Sequence, residues 1–345
     1  MKFDRMIIKT IQILKTYTAK ILINKLRKCN IDLMDFLNEK ERIPADRLNG
    51  LSKSLRINNQ FLAGKIIEIE TSKNNLETII IYNKRRVLKH MSPMSTSGVD
   101  IYEKKHNTYN WIKCISPEND TQMYIREKIS LGKGRKALCL FLPSYASIAN
   151  IFVNDVNIKN KQTNVNKIAI YGSSITHGCA ASRAGLSYAN IIARNLKCEV
   201  LNFGFSESAK GEKQVIDYIS VLGEKVIILE YDHNAGVVEL EETYKSVYEN
   251  IRAHTNCWII FMSRFSGGVS IPEEEAYERR QIISSTYNYA NSLGDKRVKL
   301  IDGNNLFIND KADYLTDGIH PNDLGMHFIA NKIIEVINEQ EMMDC

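Results

Sequence analysis

Ser174 lies in the run Tyr171-Gly172-Ser173-Ser174-Ile175-Thr176-His177-Gly178, a glycine-flanked turn after a short apolar stretch. Asp317 and His320 come far downstream, three residues apart, with Pro321 directly after. These residue types suit acyl transfer. A serine hydroxyl is a weak nucleophile until an imidazole takes its proton, and a carboxylate must fix that imidazole's tautomer and stabilise its cation. The developing oxyanion needs preorganised donors, commonly backbone N–H groups and an asparagine amide. Asn234, in Asp232-His233-Asn234, offers that amide. Taken singly, each residue also has a structural reading, since serine caps helices and asparagine closes turns. Their joint presence favours catalysis. His177 is a rival base, but on the same helical face as Ser174 it is expected to point past the hydroxyl. With His233 and Arg264 it is placed among the substrate-facing residues, Arg264 either receiving an anionic group or bracing its loop. Asp232, His233, Asp317 and His320 lack H-x-x-x-H or paired-carboxylate spacing, so neither a metal nor a cofactor is expected.

Such residues need elements that bring them to one place. Beyond a polar linker at 160–166, strand-like apolar runs at 167–171, 199–203, 225–231, 257–262 and 298–301 alternate with helical stretches near 186–197, 212–222, 239–254, 273–293 and 322–338. Val/Ile/Leu strands joined by amphipathic helices imply a parallel sheet covered on both faces, with ligands bound beyond the carboxyl ends of the strands. Gly172–Gly178, Gly204–Ser208, Asp232–Asn234, Ser263-Arg264 and Asp317–His320 all follow such strands or close the last loop. The chemistry therefore gathers at one rim. Upstream, β-like runs at 65–70, 78–82, 122–125, 137–142 and 149–153, separated by polar turns, predict an antiparallel β-sandwich. The expected division is a basic helical extension over 1–50, a sandwich over 51–160 and a catalytic domain over 166–345.

Four of these blocks, Tyr171–Gly178, Asn202-Phe203-Gly204-Phe205-Ser206, Asp232-His233-Asn234 and Asp317-Gly318-Ile319-His320-Pro321, resemble in order those of the SGNH (GDSL-type) hydrolases. Gly98-Val99-Asp100-Ile101-Tyr102 is similar to the G-x-D-L-Y motif of a β-rich domain found ahead of some of them. The resemblance implies a three-layer α/β/α flavodoxin-like domain behind a β-sandwich. It also implies Ser174 as nucleophile, Asp317 and His320 as its partners, and an oxyanion hole of the Ser174 N–H, residue 207 and Asn234. This chain departs from the family twice. Ser173 stands where many relatives have Asp, and Glu207 stands where they usually have the glycine of the oxyanion hole. If residue 207 supplies a donor, it does so through its main-chain N–H, with the carboxylate turned away. Gly98, Asp100 and Tyr102 are read as an inter-domain contact in preference to a sugar site.

Composition narrows the alternatives. The 345 residues are 44% hydrophobic and 25% charged, an ordinary globular mixture without an apolar run of membrane-spanning length. Seven scattered cysteines without a C-x-x-C pair argue against a disulfide framework, and reduced thiols suit a cytoplasmic protein. Residues 1–30 hold eight Lys/Arg against one Asp, more than the whole chain's net +6, so the remainder is close to neutral and unsuited to nucleic acid. Packing of this arm on its own protein or on a second copy is favoured over contact with a membrane surface. The expected function is a serine esterase acting on O-acyl, above all short-chain or acetyl, esters of a carbohydrate or small metabolite. The alternatives are an acyltransferase using the same acyl-enzyme and a catalytically silent glycan- or metabolite-binding protein.

Overall fold

A computed structural model describes residues 30–37, 41–106, 108–159, 166–265, 271–307 and 311–343. Its first part is built on alternation. In β2 (Ile66–Thr71) every second side chain is buried, the pattern of a strand with one face on a core. With β1 (Ile31–Asp32), β3 (Asn75–Arg85), β4 (Val99–Lys105), β5 (Thr108–Ile115), β6 (Tyr124–Ser130), β7 (Lys136–Phe141), β8 (Ala146–Val153) and β9 (Asn157–Ile158) it forms two sheets. Their strand orders are β1-β8-β3-β6 and β5-β4-β7-β2-β9, paired antiparallel throughout. Ile80, Ile125 and Ile151 from one sheet meet Ile69, Ile101 and Leu140 from the other in a single apolar core. This is the expected sandwich. The sequence reading passed over β5 because most of its residues face solvent and carry no alternation.

The second part is a parallel sheet of β10 (Lys167–Gly172), β11 (Glu199–Gly204), β12 (Val226–Glu230), β13 (Trp258–Met262) and β14 (Val298–Ile301), in the order β11-β10-β12-β13-β14. Helices cover both faces. Ile168, Ile170, Val226 and Ile228 point to the layer holding helices Tyr188–Leu196 and Asp323–Glu339. The alternate residues Ala169, Tyr171, Ile227 and Leu229 point to helices Lys213–Ile219, Val237–His254 and Glu273–Ser292. Burial on both faces is why these strands read as unbroken apolar runs. The chain leaves β10 for β11 on one side and later returns to β12 on the other, so the carboxyl end of β10 is the crevice where such sheets bind ligands.

The N-terminal helix expected over 1–50 falls largely outside the described residues, which omit 1–29. Residues 30–37 and 41–50, assigned to the same extension, are not helical in the expected sense: they hold β1 and two 3-10 turns, Leu33–Phe36 and Ala45–Leu48. Ile43, Leu48, Leu51 and Leu55 pack in the core of the parallel sheet, beside Phe205 and Val215. This stretch straps the two parts together. Its buried Arg42 donates to Gly204 O at 2.5 Å and to Asn58 O, and Asn58 Nδ2 donates to Ser206 O at 2.7 Å.

The inter-domain reading of the G-x-D-x-Y run matches the contacts. Asp100 accepts from Trp111 Nε1 and Arg183 Nη1, both at 2.7 Å, and from the Gly185 N–H at 3.0 Å, while Arg183 also donates to Tyr102 OH at 2.5 Å. Arg183 and Gly185 lie beyond β10, so a buried carboxylate from the sandwich is satisfied by donors from both parts. Gly98 keeps the motif's start tight, because a Cβ there would meet Cys114 Sγ at 2.4 Å.

Candidate active site

The Ser174 turn is set by steric limits at Gly172, where a Cβ would meet Thr176 Oγ1 at 2.1 Å and Glu230 Oε2 at 2.6 Å. Ser173 is the N-cap of the one-turn helix Ser174–His177, its Oγ accepting from the Ile175 N–H at 3.1 Å. Gly178, at φ +98°, ends that turn in the left-handed region. Below it, at the end of β12, lies Glu230, which accepts from the Ser173 N–H at 3.1 Å, Ser173 Oγ at 2.9 Å and Thr176 Oγ1 at 2.6 Å. The departure at 173 thus has a structural partner, since an aspartate there would set a second carboxylate against Glu230. Sequence reasoning missed Glu230, although an acidic residue closing the apolar run Val226–Leu229 was a signal.

Burial pushes the Glu230 carboxyl up to about 7, against the donated hydrogen bonds that favour its charged form. The folded protein then holds a proton that the unfolded chain releases near pH 4.5, so this contribution to stability is full below that value and is lost as pH rises towards 7. Glu230→Gln fits the same contacts with its amide oxygen in the place of Oε2. It should flatten the wild-type decline between pH 5 and 7.5 by on the order of 2–3 kcal/mol in urea unfolding. A residual slope of the same sign is expected from Glu224, which burial also pushes up to about 7. Identical slopes in the two proteins would refute the assignment.

Half-buried Ser174 places its Oγ 2.9 Å from His320 Nε2. On the other side of the ring His320 Nδ1 donates to Asp317 Oδ2 at 2.8 Å. Asp317 Oδ1 accepts the backbone N–H groups of His320 at 2.8 Å and Ile319 at 3.1 Å, which fixes the carboxylate before the ring reaches it. Partial burial works to raise this carboxyl, but the bonds from His320 outweigh it and hold the group below the ordinary carboxylate value. Asp317 is therefore charged at neutral pH and can only accept, leaving the proton on Nδ1 and the lone pair on Nε2 towards the serine.

Glu207 has φ +61°, the left-handed conformation that glycine adopts without cost. Its side chain is 74% exposed and its Oε1 lies 3.3 Å from Arg86 Nη2, so the carboxylate is directed to solvent. Glu207→Gly removes roughly 1–2 kcal/mol of left-handed strain and an exposed ion pair worth about 0–1 kcal/mol. Turnover equal to or slightly above wild type, with an unchanged or higher melting temperature, is expected. A tenfold loss of turnover would give the carboxylate a task of its own. Asn234 Nδ2 donates to Phe205 O at 2.9 Å, tying the loop after β12 to the loop after β11, and among the described residues its second amide hydrogen meets no acceptor and can serve as a donor.

The other sequence candidates sit differently. His177 is fully buried, stacked on Tyr145 with ring centroids 4.3 Å apart, and its Nδ1 accepts from the Ser206 N–H at 3.4 Å. Burial holds it well below the ordinary histidine value, so it is a neutral interface residue, neither substrate-facing nor a base for Ser174. A Cβ at Gly204 would meet His177 N at 2.2 Å, which shows how closely the loop after β11 covers this turn. His233 packs its ring 4.6 Å from Phe265, and its ring nitrogens are buried with no hydrogen-bond partner among the described residues. Burial, then nearby Arg264, hold it well below its ordinary value. Arg264 is buried beside Asp232, which accepts its backbone N–H at 2.7 Å. His90, which nothing in the sequence marked, stacks on His320 with centroids 5.1 Å apart and planes 6° from parallel.

Residues 165–338 match the GDSL-like lipase/acylhydrolase family, and residues 31–161 match the GxDLY family, the N-terminus of SGNH-hydrolase-type esterases. Among curated proteins no sequence matches the chain. Among solved structures it is similar to a protein described as a GDSL-like lipase from Bacteroides ovatus, with 19% identity, a TM-score of 0.81, and 90% of this chain and 97% of that one covered. A salicylyl-acyltransferase from a tetracycline biosynthetic pathway is similar at 17% identity and a TM-score of 0.67, covering 84% and 87%. A family two carbohydrate esterase from Clostridium thermocellum is similar at 14% identity and a TM-score of 0.57, covering 82% and 94%. The last two share the fold with this chain while differing in the reaction their descriptions give. With its parallel-sheet half matched as a unit and its sandwich matched ahead of it, the chain belongs to the GDSL-like lipase/acylhydrolase family and carries the GxDLY N-terminal domain of SGNH-type esterases.

Proposed function

We propose that the protein is a serine esterase that removes a short-chain acyl group, acetyl above all, from a carbohydrate or small-metabolite ester. The observation that carries this reading is the relay from Ser174 Oγ through the His320 ring to Asp317, with contacts of 2.9 and 2.8 Å. As Oγ attacks the ester carbonyl, its proton passes to His320 Nε2, and Asp317 stabilises the imidazolium through Nδ1. The carbonyl oxygen becomes an oxyanion that the Ser174 N–H, the Glu207 N–H and Asn234 Nδ2 receive. His320 then returns the proton to the leaving alcohol. Water, deprotonated by the same nitrogen, attacks the acyl-enzyme and releases the acid. The carbohydrate substrate class draws support from the family two carbohydrate esterase, whose chain is covered nearly whole.

A second reading, transfer of the acyl group to an acceptor hydroxyl, shares every step up to the acyl-enzyme and draws support from the similar fold of the salicylyl-acyltransferase. One experiment tests both. The full chain is treated with a serine-directed organophosphonate and the adduct mapped, then assayed on a panel of acetylated and longer-chain sugar esters with Ser174→Ala as the blank. Free acid as product marks hydrolysis, and acylated acceptor marks transfer. Absence of an adduct at Ser174 together with no turnover across the panel would leave the silent binding protein.

A further inference from the structure

His90, Cys179 and His320 come from three separated segments, and one donor atom of each lies within 4.8 Å of the others. His90 Nε2 is already 3.1 Å from Cys179 Sγ. Cys179 directly follows the Gly178 turn that ends the Ser174 helix, so the backbone that positions the serine also positions the thiol. Asp317 occupies the Nδ1 side of His320 and approaches His90 Nδ1 at 3.9 Å, so the nitrogen that His320 can turn to an ion is Nε2, the one that now meets Ser174 Oγ at 2.9 Å.

We propose that these three side chains form a zinc-class cation site which, when filled, withdraws His320 from Ser174. The donor set selects the ion. Two imidazoles and a thiolate favour zinc over magnesium or calcium, which take oxygen ligands. Zn–N distances of about 2.0–2.1 Å and a Zn–S distance of about 2.3 Å put the tetrahedral donors of this set roughly 3.3–3.6 Å apart. The cluster reaches that spacing with movements on the order of 1 Å. Both imidazoles are partly open to solvent, with side-chain exposures of 27% for His90 and 15% for His320, so a hydrated ion has an approach and water can fill the fourth position. The Asp317–His320 bond is the carboxylate–histidine arrangement that orients metal-binding imidazoles. On binding, the Cys179 S–H bond breaks, its proton goes to solvent, and two neutral imidazole lone pairs and one thiolate form the three bonds to the ion.

Loss of turnover on filling rests on the proposed role of His320 as base, because one lone pair cannot both hold the metal and take the serine proton. Binding itself does not rest on it. The full chain is titrated with zinc chloride against a chromophoric chelator, with magnesium chloride as control. In parallel, hydrolysis of an acetyl ester is followed, each variant being compared with its own zinc-free rate. Wild type should take up one equivalent of zinc and no magnesium, lose turnover with the same midpoint, and recover on addition of EDTA. Cys179→Ser and His90→Gln should each weaken zinc uptake by more than the roughly 10–100-fold that outer-sphere changes cost, and turnover should survive in step. Should one variant fail to fold, judged by circular dichroism, the other decides. No uptake by wild type, or equal uptake by both variants, overturns the site. Uptake at the site with turnover untouched overturns the withdrawal of His320. If the protein turns over no ester at all, the chelator titration still decides the site.

Discussion

Ser174→Ala should lower ester turnover by roughly a thousandfold or more while leaving the melting temperature unchanged. The hydroxyl's contact is with His320, at 2.9 Å, and Ser174 belongs to none of the apolar clusters that hold the sheet, so its removal opens no core cavity. The turn itself is held by Ser173, Thr176 and Glu230, none of which needs the Ser174 side chain. The proposed oxyanion donors survive the change, so a residue of activity above the rate in water is expected. Initial rates on an activated acetyl ester, read beside a thermal melt, decide the matter. A variant retaining more than a thousandth of wild-type turnover would remove Ser174 from the nucleophile's role.

His320→Ala is expected to cost as much as Ser174→Ala, and the double variant no more than either, because the members of such a relay act as a unit. Asp317→Ala should be milder by roughly 10–100-fold, since it leaves the base in place and removes only its orienter. Asp317→Asn is the sharper probe. Its amide can donate where the carboxylate accepts, which turns the His320 tautomer and places a proton on Nε2, on the order of a 10⁴-fold loss. His177→Ala is the control. It removes a buried ring stacked on Tyr145 and should lower the melting temperature more than turnover per folded molecule. If His177→Ala instead lost more turnover than His320→Ala, the base would have to be reassigned.

Comparing these residues shows where local pattern ends. Ser174 was legible because it follows the end of an apolar strand, and Asp317 and His320 because they close the loop before the last amphipathic helix; parallel topology sends strand ends and the starts of the following helices to one rim. The sequence thereby determined the sandwich and the order in which the parallel strands' loops reach that rim, but not every group that meets there, since Glu230 and His90 went unmarked and His177 turned inward. It also marked position 207 as anomalous, and the backbone gave the reason: φ +61°, with a carboxylate that escapes to Arg86.

What the sequence left open was decided by contacts between distant segments. His177 and His90 illustrate the difference, one three residues from the serine and the other more than eighty before it. The nearer histidine turns into the interface beneath Tyr145, whereas the farther one stacks on the ring that faces Ser174. Arg42, from a segment read as part of a basic helical extension, holds the carbonyl of Gly204. Glu230 became a proton-holding support for the Ser174 turn only once β12 lay beside β10. Periodicity reports which face of an element is buried, a property of neighbouring residues along the chain. Which polar group a side chain finds, and whether water reaches it, depends on how two separately patterned domains close on each other, and that is fixed by three-dimensional packing.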